Sequence, residues 1–73
     1  MKLITRSDAI KARIEQLGTS QTKIAEQSGW SRGTVNSIVK GRNKSIASAH
    51  KMAYHLQGDF KDFFDVEYEK VNQ

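Results

Sequence analysis

Cysteine and proline do not occur among the 73 residues, and only 8% are aromatic. The first absence removes disulfide scaffolds, thiolate zinc sites and cysteine nucleophiles. The second leaves helices free to run without a ring that blocks a backbone donor. No apolar stretch approaches the roughly 20 residues of a membrane span. The start Met1-Lys2-Leu3-Ile4 is too short for a secretory signal, so a soluble cytoplasmic chain without membrane association is expected. At this length a single small domain is expected, with too little core for a buried catalytic cleft. Paired carboxylates, a nucleophile beside a base and a glycine-rich phosphate loop are all missing. No catalytic residue, cofactor, metal or small-molecule substrate is therefore expected, and the chain is not expected to be an enzyme.

Charge of one sign is scarce in most of the chain. Residues 1–58 hold ten basic side chains against Asp8, Glu15 and Glu26, a net of +7. Residues 59–73 hold five acidic side chains against Lys61 and Lys70, a net of −3. A basic body with an acidic tail points to a polyanion as partner for the body and to something else for the tail.

Apolar residues recur at helical spacing almost throughout, and no segment alternates cleanly enough to predict a strand. Thr5 followed by Asp8 resembles a capping box, Ile4 is placed to staple onto Ala9, and Ile10, Ile14 and Leu17 form one stripe ending at Gly18. A first helix over about 6–17 is predicted. Ser20 caps a second segment that carries Ile24 and Ala25 and ends at Gly29. Ser31 caps a third with Val35, Ile38 and Val39 apolar, stopped by Gly41. Ser45 begins a fourth with Ile46, Ala49, Met52, Ala53 and Leu56 on one face and Gly58 at its end. Asp59 caps a short fifth with Phe60, Phe63 and Phe64. Residues 1–64 are thus expected to form one all-α, five-helix domain. Residues 65–73 form an acidic tail that extends helix five, adds a strand or frays.

Residues 21–40 read QTKIAEQSGWSRGTVNSIVK. Two helices that cross steeply through a three-residue turn need a residue without Cβ where φ is positive, which Gly29 supplies. They need a small side chain where the second would collide with the first, which is Ala25. They also need apolar anchors between them: Ile24, Trp30, Val35 and Ile38. This is the pattern of a helix-turn-helix, whose second helix projects from the body into a DNA major groove.

The stretch Thr19–Phe64 resembles the Cro and phage-repressor family of small regulators, the lambda-repressor-like or XRE type. The resemblance rests on Ser20-Gln21, Ile24-Ala25, Ser28-Gly29, Ser31, Val35, Ile38, Gly41-Arg42 and the Leu56…Phe63-Phe64 ending. It implies a compact lambda-repressor-like domain and a transcription regulator of bacterial or phage origin, bound to the nucleoid. Three positions depart from the family. Ser28 stands where an apolar residue is common, and Gly33 lies inside the recognition helix. An Arg–Glu pair found in many relatives is replaced by Ile14 and Val39.

With Val35, Ile38 and Val39 turned inward, the third helix presents Arg32, Gly33, Asn36, Ser37 and Lys40. Arg32 suits guanine and Asn36 suits adenine, Ser37 suits either, and Gly33 permits close approach to a thymine methyl. Base contacts are therefore assigned to Arg32, Gly33, Asn36 and Ser37. Phosphate contacts are assigned to Gln21 at a helix start, to Ser31 and Thr34, and to the rim of Lys40, Arg42, Asn43 and Lys44. The resemblance implies that Gln21 also braces the recognition helix. Trp30 is assigned to the core, with sugar contact as the alternative, and His50 and His55 to the surface rather than to a metal.

Phe60, Phe63, Phe64, Tyr68 and Val71 amount to more apolar surface than so short a chain easily hides. They are assigned to a homodimer interface, the competing reading being that they close the monomer core. The leading expectation is a Cro-like repressor that binds a two-fold symmetric stretch of double-stranded DNA. The runner-up is an antirepressor or antitoxin-like module that meets another protein. A protein antagonist is compatible with either.

Overall fold

The computed structural model describes residues 1–68. All five predicted helices are present: α1 (Ser7–Gln16), α2 (Gln21–Ser28), α3 (Arg32–Val39), α4 (Ile46–His55) and α5 (Phe60–Phe63). Two short strands, β1 (Lys2–Thr5) and β2 (Phe64–Glu67), flank them and pair antiparallel. The register runs from Lys2 opposite Glu67 to Thr5 opposite Phe64.

Serine hydroxyls start the three central helices as predicted. Ser20, Ser31 and Ser45 accept the backbone N–H of Lys23, Thr34 and Ser48 at 3.2, 3.1 and 3.2 Å, each satisfying an otherwise orphaned donor. Helix α3 ends in a Schellman turn, in which Gly41 N–H donates to the carbonyl of Ile38 and Arg42 N–H to that of Ser37.

The core gathers one stripe from each helix: Ile10 and Ile14, Ile24 and Ala25, Val35, Ile38 and Val39, Ala49, Met52 and Ala53, and Phe63. Leu3 and Phe64 of the ribbon and Leu56 complete it. Ile14 and Val39, where the resemblance would put an ion pair, are both buried in the core, and packing in place of a buried ion pair is often neutral or stabilising.

Several expectations at the two chain ends are corrected. Thr5 does not cap α1. Its backbone belongs to the ribbon, Arg6 is the N-cap residue without a side-chain bond, and the hydroxyl of Ser7 donates to the carbonyl of Val39. Ile4 is on the outward side of β1 and over a third exposed, so it is not a buried staple. Of the three conformations left open for the tail, the strand is found as far as Glu67, and the boundary placed at residue 64 falls inside β2.

Gly58 is not the left-handed stop of α4. That conformation belongs to Gln57, at φ 56°, one residue earlier. Gly58 serves packing instead, since a Cβ there would lie 2.8 Å from the Phe63 ring.

Phe63 and Phe64 are 4% and 1% exposed, so they close the monomer core and are not a dimer surface. Phe60 is half-buried, stacked between His50 at 4.3 Å and Phe64 at 5.5 Å. Tyr68 is exposed, and Val71 lies outside the described residues.

Candidate nucleic-acid interface

The corner between α2 and α3 positions everything that follows. Gly29 takes φ 80° and returns its N–H to the carbonyl of Ala25, which ends α2 in the left-handed conformation the sequence predicts. Ser28, out of place by the family's pattern, has a use here. Its hydroxyl donates to the Ala25 carbonyl at 3.3 Å and accepts the Trp30 N–H at 3.1 Å. Trp30 is half-buried against the core, as assigned, and meets the ring of His55 edge-on at 6.0 Å.

Helix α3 then divides cleanly. Val35, Ile38 and Val39 are at most 2% exposed. Arg32, Gly33 and Lys40 are exposed, and Thr34, Asn36 and Ser37 are half-exposed. Residues 32, 36 and 40 repeat every four positions and so share one outward face, with 33 and 37 beside them. Among the described residues, the side chains of Arg32, Asn36 and Ser37 make no hydrogen bond. Arg32 is exposed and Asn36 and Ser37 are partly so, which leaves all three accessible to a partner.

Beyond the C-terminus of α3, Arg42 and Lys44 are exposed with Lys40. The one ion pair among the described residues joins Arg6 to Asp65 at 3.8 Å, so none of these three cations is neutralised by an acidic neighbour there. Asn43 accepts the Ser45 N–H at 2.9 Å through its Oδ1, which fixes the amide so that its NH2 remains the group on offer. Ser31 and Thr34 share a 3.0 Å hydroxyl contact at the start of α3, and Gln21 is the half-buried first residue of α2. The structure thus gathers the assigned base and phosphate residues on α3 and its two flanks, with Gln21 one helix away.

Two residues escaped sequence reasoning. Arg13 of α1 donates from Nε to the carbonyl of Leu56 at 2.9 Å and from Nη2 to that of Gln57 at 3.1 Å, capping the end of α4. Lys51 of α4 donates to the carbonyl of Ser28 at 3.0 Å and sits 4.8 Å from the centre of the Trp30 ring. Neither carries a local signal, because each partner is more than twenty residues away. His50 stacks on Phe60, His55 meets Trp30 edge-on, and no group of three or more metal-ligating side chains occurs among the described residues. No helix of these residues is long and apolar enough to cross a membrane.

A helix with an unbonded polar face, seated on a core drawn from all five helices and followed by unpaired cations, is the arrangement of a helical DNA-binding module. A family model described as helix-turn-helix matches residues 10–63, and the chain belongs to that family, in its Cro and C1 branch. The fold is accordingly the lambda-repressor-like one, and the family is one of DNA-binding transcription regulators. Both strands of the ribbon lie outside the matched residues. No curated protein matches the chain.

Proposed function

We propose that this chain is a sequence-specific repressor of the Cro kind, which acts by occupying a two-fold symmetric operator as a homodimer. The observation that carries the reading is the division of α3. Its inner side is fully used by the core, and its outer side offers a guanidinium, an amide and a hydroxyl that the fold leaves unbonded. Arg32 and Asn36 are suited to the edges of guanine and adenine, with Ser37 and the bare backbone of Gly33 beside them. Gln21, Ser31, Thr34, Lys40, Arg42, Asn43 and Lys44 hold the sugar-phosphate chain and set the register. On this reading the chain works at the nucleoid.

A single module of this kind buries roughly 600–1,000 Å² on DNA, which favours a dimer reading two half-sites about 34 Å apart. Exposed Tyr68 and half-buried Phe60 remain the candidates for that contact, among acidic residues that DNA would repel.

The test is selection from a random duplex library at two salt concentrations, followed by sequencing of the retained DNA. A two-fold symmetric motif whose retention falls steeply with salt is the expected result. Retention without enrichment would replace the repressor by an architectural protein, and no retention at low salt would replace it by a protein-interaction module.

A further inference from the structure

We infer that Lys51 and Trp30 form a brace that fixes the angle of α3 against α2, making Lys51 a positioning residue that governs DNA selectivity without touching DNA. The inference rests on the DNA-binding reading above.

Buried Ile24, Ala25, Val35 and Ile38 seat the two helices against the core, but the turn between them adds few side-chain constraints. Gly29 has no side chain, Ser31 is occupied in capping α3, and both lie at the surface. Lys51 supplies what is missing from a third helix. Its ammonium donates to the carbonyl of Ser28, the last residue of α2, at 3.0 Å. That carbonyl is one of those a helix end leaves unpaired, at the negative pole of its dipole. The same ammonium lies 4.8 Å from the centre of the Trp30 ring, close enough for a cation–π contact. The ring also packs partly buried against the core and meets His55, one turn further along α4, edge-on at 6.0 Å. Trp30 is therefore held between two residues of α4, and its own N–H is tied back to Ser28. Lys51 thus joins the end of one helix of the motif to the residue that leads into the other.

The amine's two neighbours are both protein groups at the corner. The bare cations Lys40, Arg42 and Lys44 lie beyond the opposite end of α3. A phosphate role for Lys51 would require it to leave the carbonyl and the ring. Direct reading of base edges demands fixed placement of Arg32 and Asn36, whereas binding through phosphate charge tolerates a tilted helix. A loosened corner raises the ordering cost of the specific complex alone.

The experiment compares the unmodified chain with Lys51→Met, Lys51→Arg, Trp30→Leu and the Lys51→Met/Trp30→Leu double variant, at a temperature where each is folded by circular dichroism. Affinity is measured for the duplex selected above and for an unrelated duplex, across a salt series. Lys51→Met is expected to weaken the selected duplex about three- to tenfold and to leave the unrelated duplex and the salt slope unchanged. Lys51→Arg should restore the loss, Trp30→Leu should repeat it, and the double variant should be no worse than either. Trp30 is the only tryptophan, so its fluorescence in the free protein should shift on Lys51→Met. Equal weakening of both duplexes with a slope shallower by about 0.9 would make Lys51 a phosphate ligand and overturn the brace. Unchanged fluorescence, or unchanged affinity for the selected duplex, would overturn it equally. If the unmodified chain selects no duplex at all, the DNA-binding reading fails and Lys51 loses its role in selectivity, whatever the fluorescence shows.

Discussion

Helices α3 and α4 each begin at a serine N-cap and each bury three residues in the same core. Their outer sides differ in what they hold. On α4, His50 stacks on Phe60, Lys51 reaches Ser28 and Trp30, and His55 meets Trp30 and Tyr54. On α3, Arg32, Asn36 and Ser37 touch no hydrogen-bonding partner among the described residues, and a glycine stands beside them. One helix commits its polar side chains to holding the molecule together. The other leaves Arg32, Asn36 and Ser37 without a hydrogen-bonding partner in the fold. An unbonded polar stripe on a well-anchored helix is thus more informative than basic charge, which both helices and the rest of the body share.

The largest effect is expected on the buried side of α3. Ile38→Ala should cost about 2–5 kcal/mol of folding stability, enough to unfold much of a domain this small, as urea or thermal denaturation would record. Arg32→Ala should leave that denaturation curve in place and cost about 1–3 kcal/mol in binding, with preference relaxed at one base pair. Titration against the selected duplex and its point variants measures this, and an equal loss on every sequence would reassign Arg32 to phosphate.

Two glycines sharpen the contrast further. Gly58→Ala forces a Cβ against the Phe63 ring and should destabilise by about 1–3 kcal/mol. At Gly33 the nearest heavy atom to an added Cβ is Ser31 Oγ at 3.8 Å, and the backbone is ordinary helix. Gly33→Ala should therefore raise stability by up to about 1 kcal/mol while weakening the selected duplex. Unimpaired binding would show that the bare backbone faces no base. The smallest effect belongs to the rim: Lys44→Ala should weaken all duplexes alike and reduce the salt slope by about 0.9, and an unchanged slope would remove it from the interface.

The corner was legible in the sequence because it is local. Ser20, Gly29, Ser31 and Gly41 each act within four residues of where they stand, through a cap or a left-handed turn. The face of α3 followed from the spacing of Val35, Ile38 and Val39. What escaped is long-range. A four-residue strand at Lys2–Thr5 has no meaning until Phe64–Glu67 arrives beside it, and Phe63 and Phe64 looked like surplus surface, yet both are buried in the core, Phe63 lying against Gly58 and Phe64 stacking on Phe60. Arg13 and Lys51 likewise gain their roles only from helices distant in sequence. Gln57 escaped for another reason. Gly58, the residue that normally takes a left-handed turn, stands next to it, yet Gly58 is needed where the Phe63 ring lies.

The ribbon also has a kinetic consequence. Pairing Lys2 with Glu67 closes nearly the whole chain into a loop for the sake of four residue pairs, whereas α2, the corner and α3 form within about twenty residues. Loop-closure entropy makes that pairing a late step, taken once the helices have shortened the path between the strands. Contacts made after the rate-limiting barrier act on the way out rather than on the way in. Strengthening the ribbon should therefore slow unfolding and leave the folding rate almost unchanged in stopped-flow kinetics, which would make the flanking strands a latch on the lifetime of the helical unit.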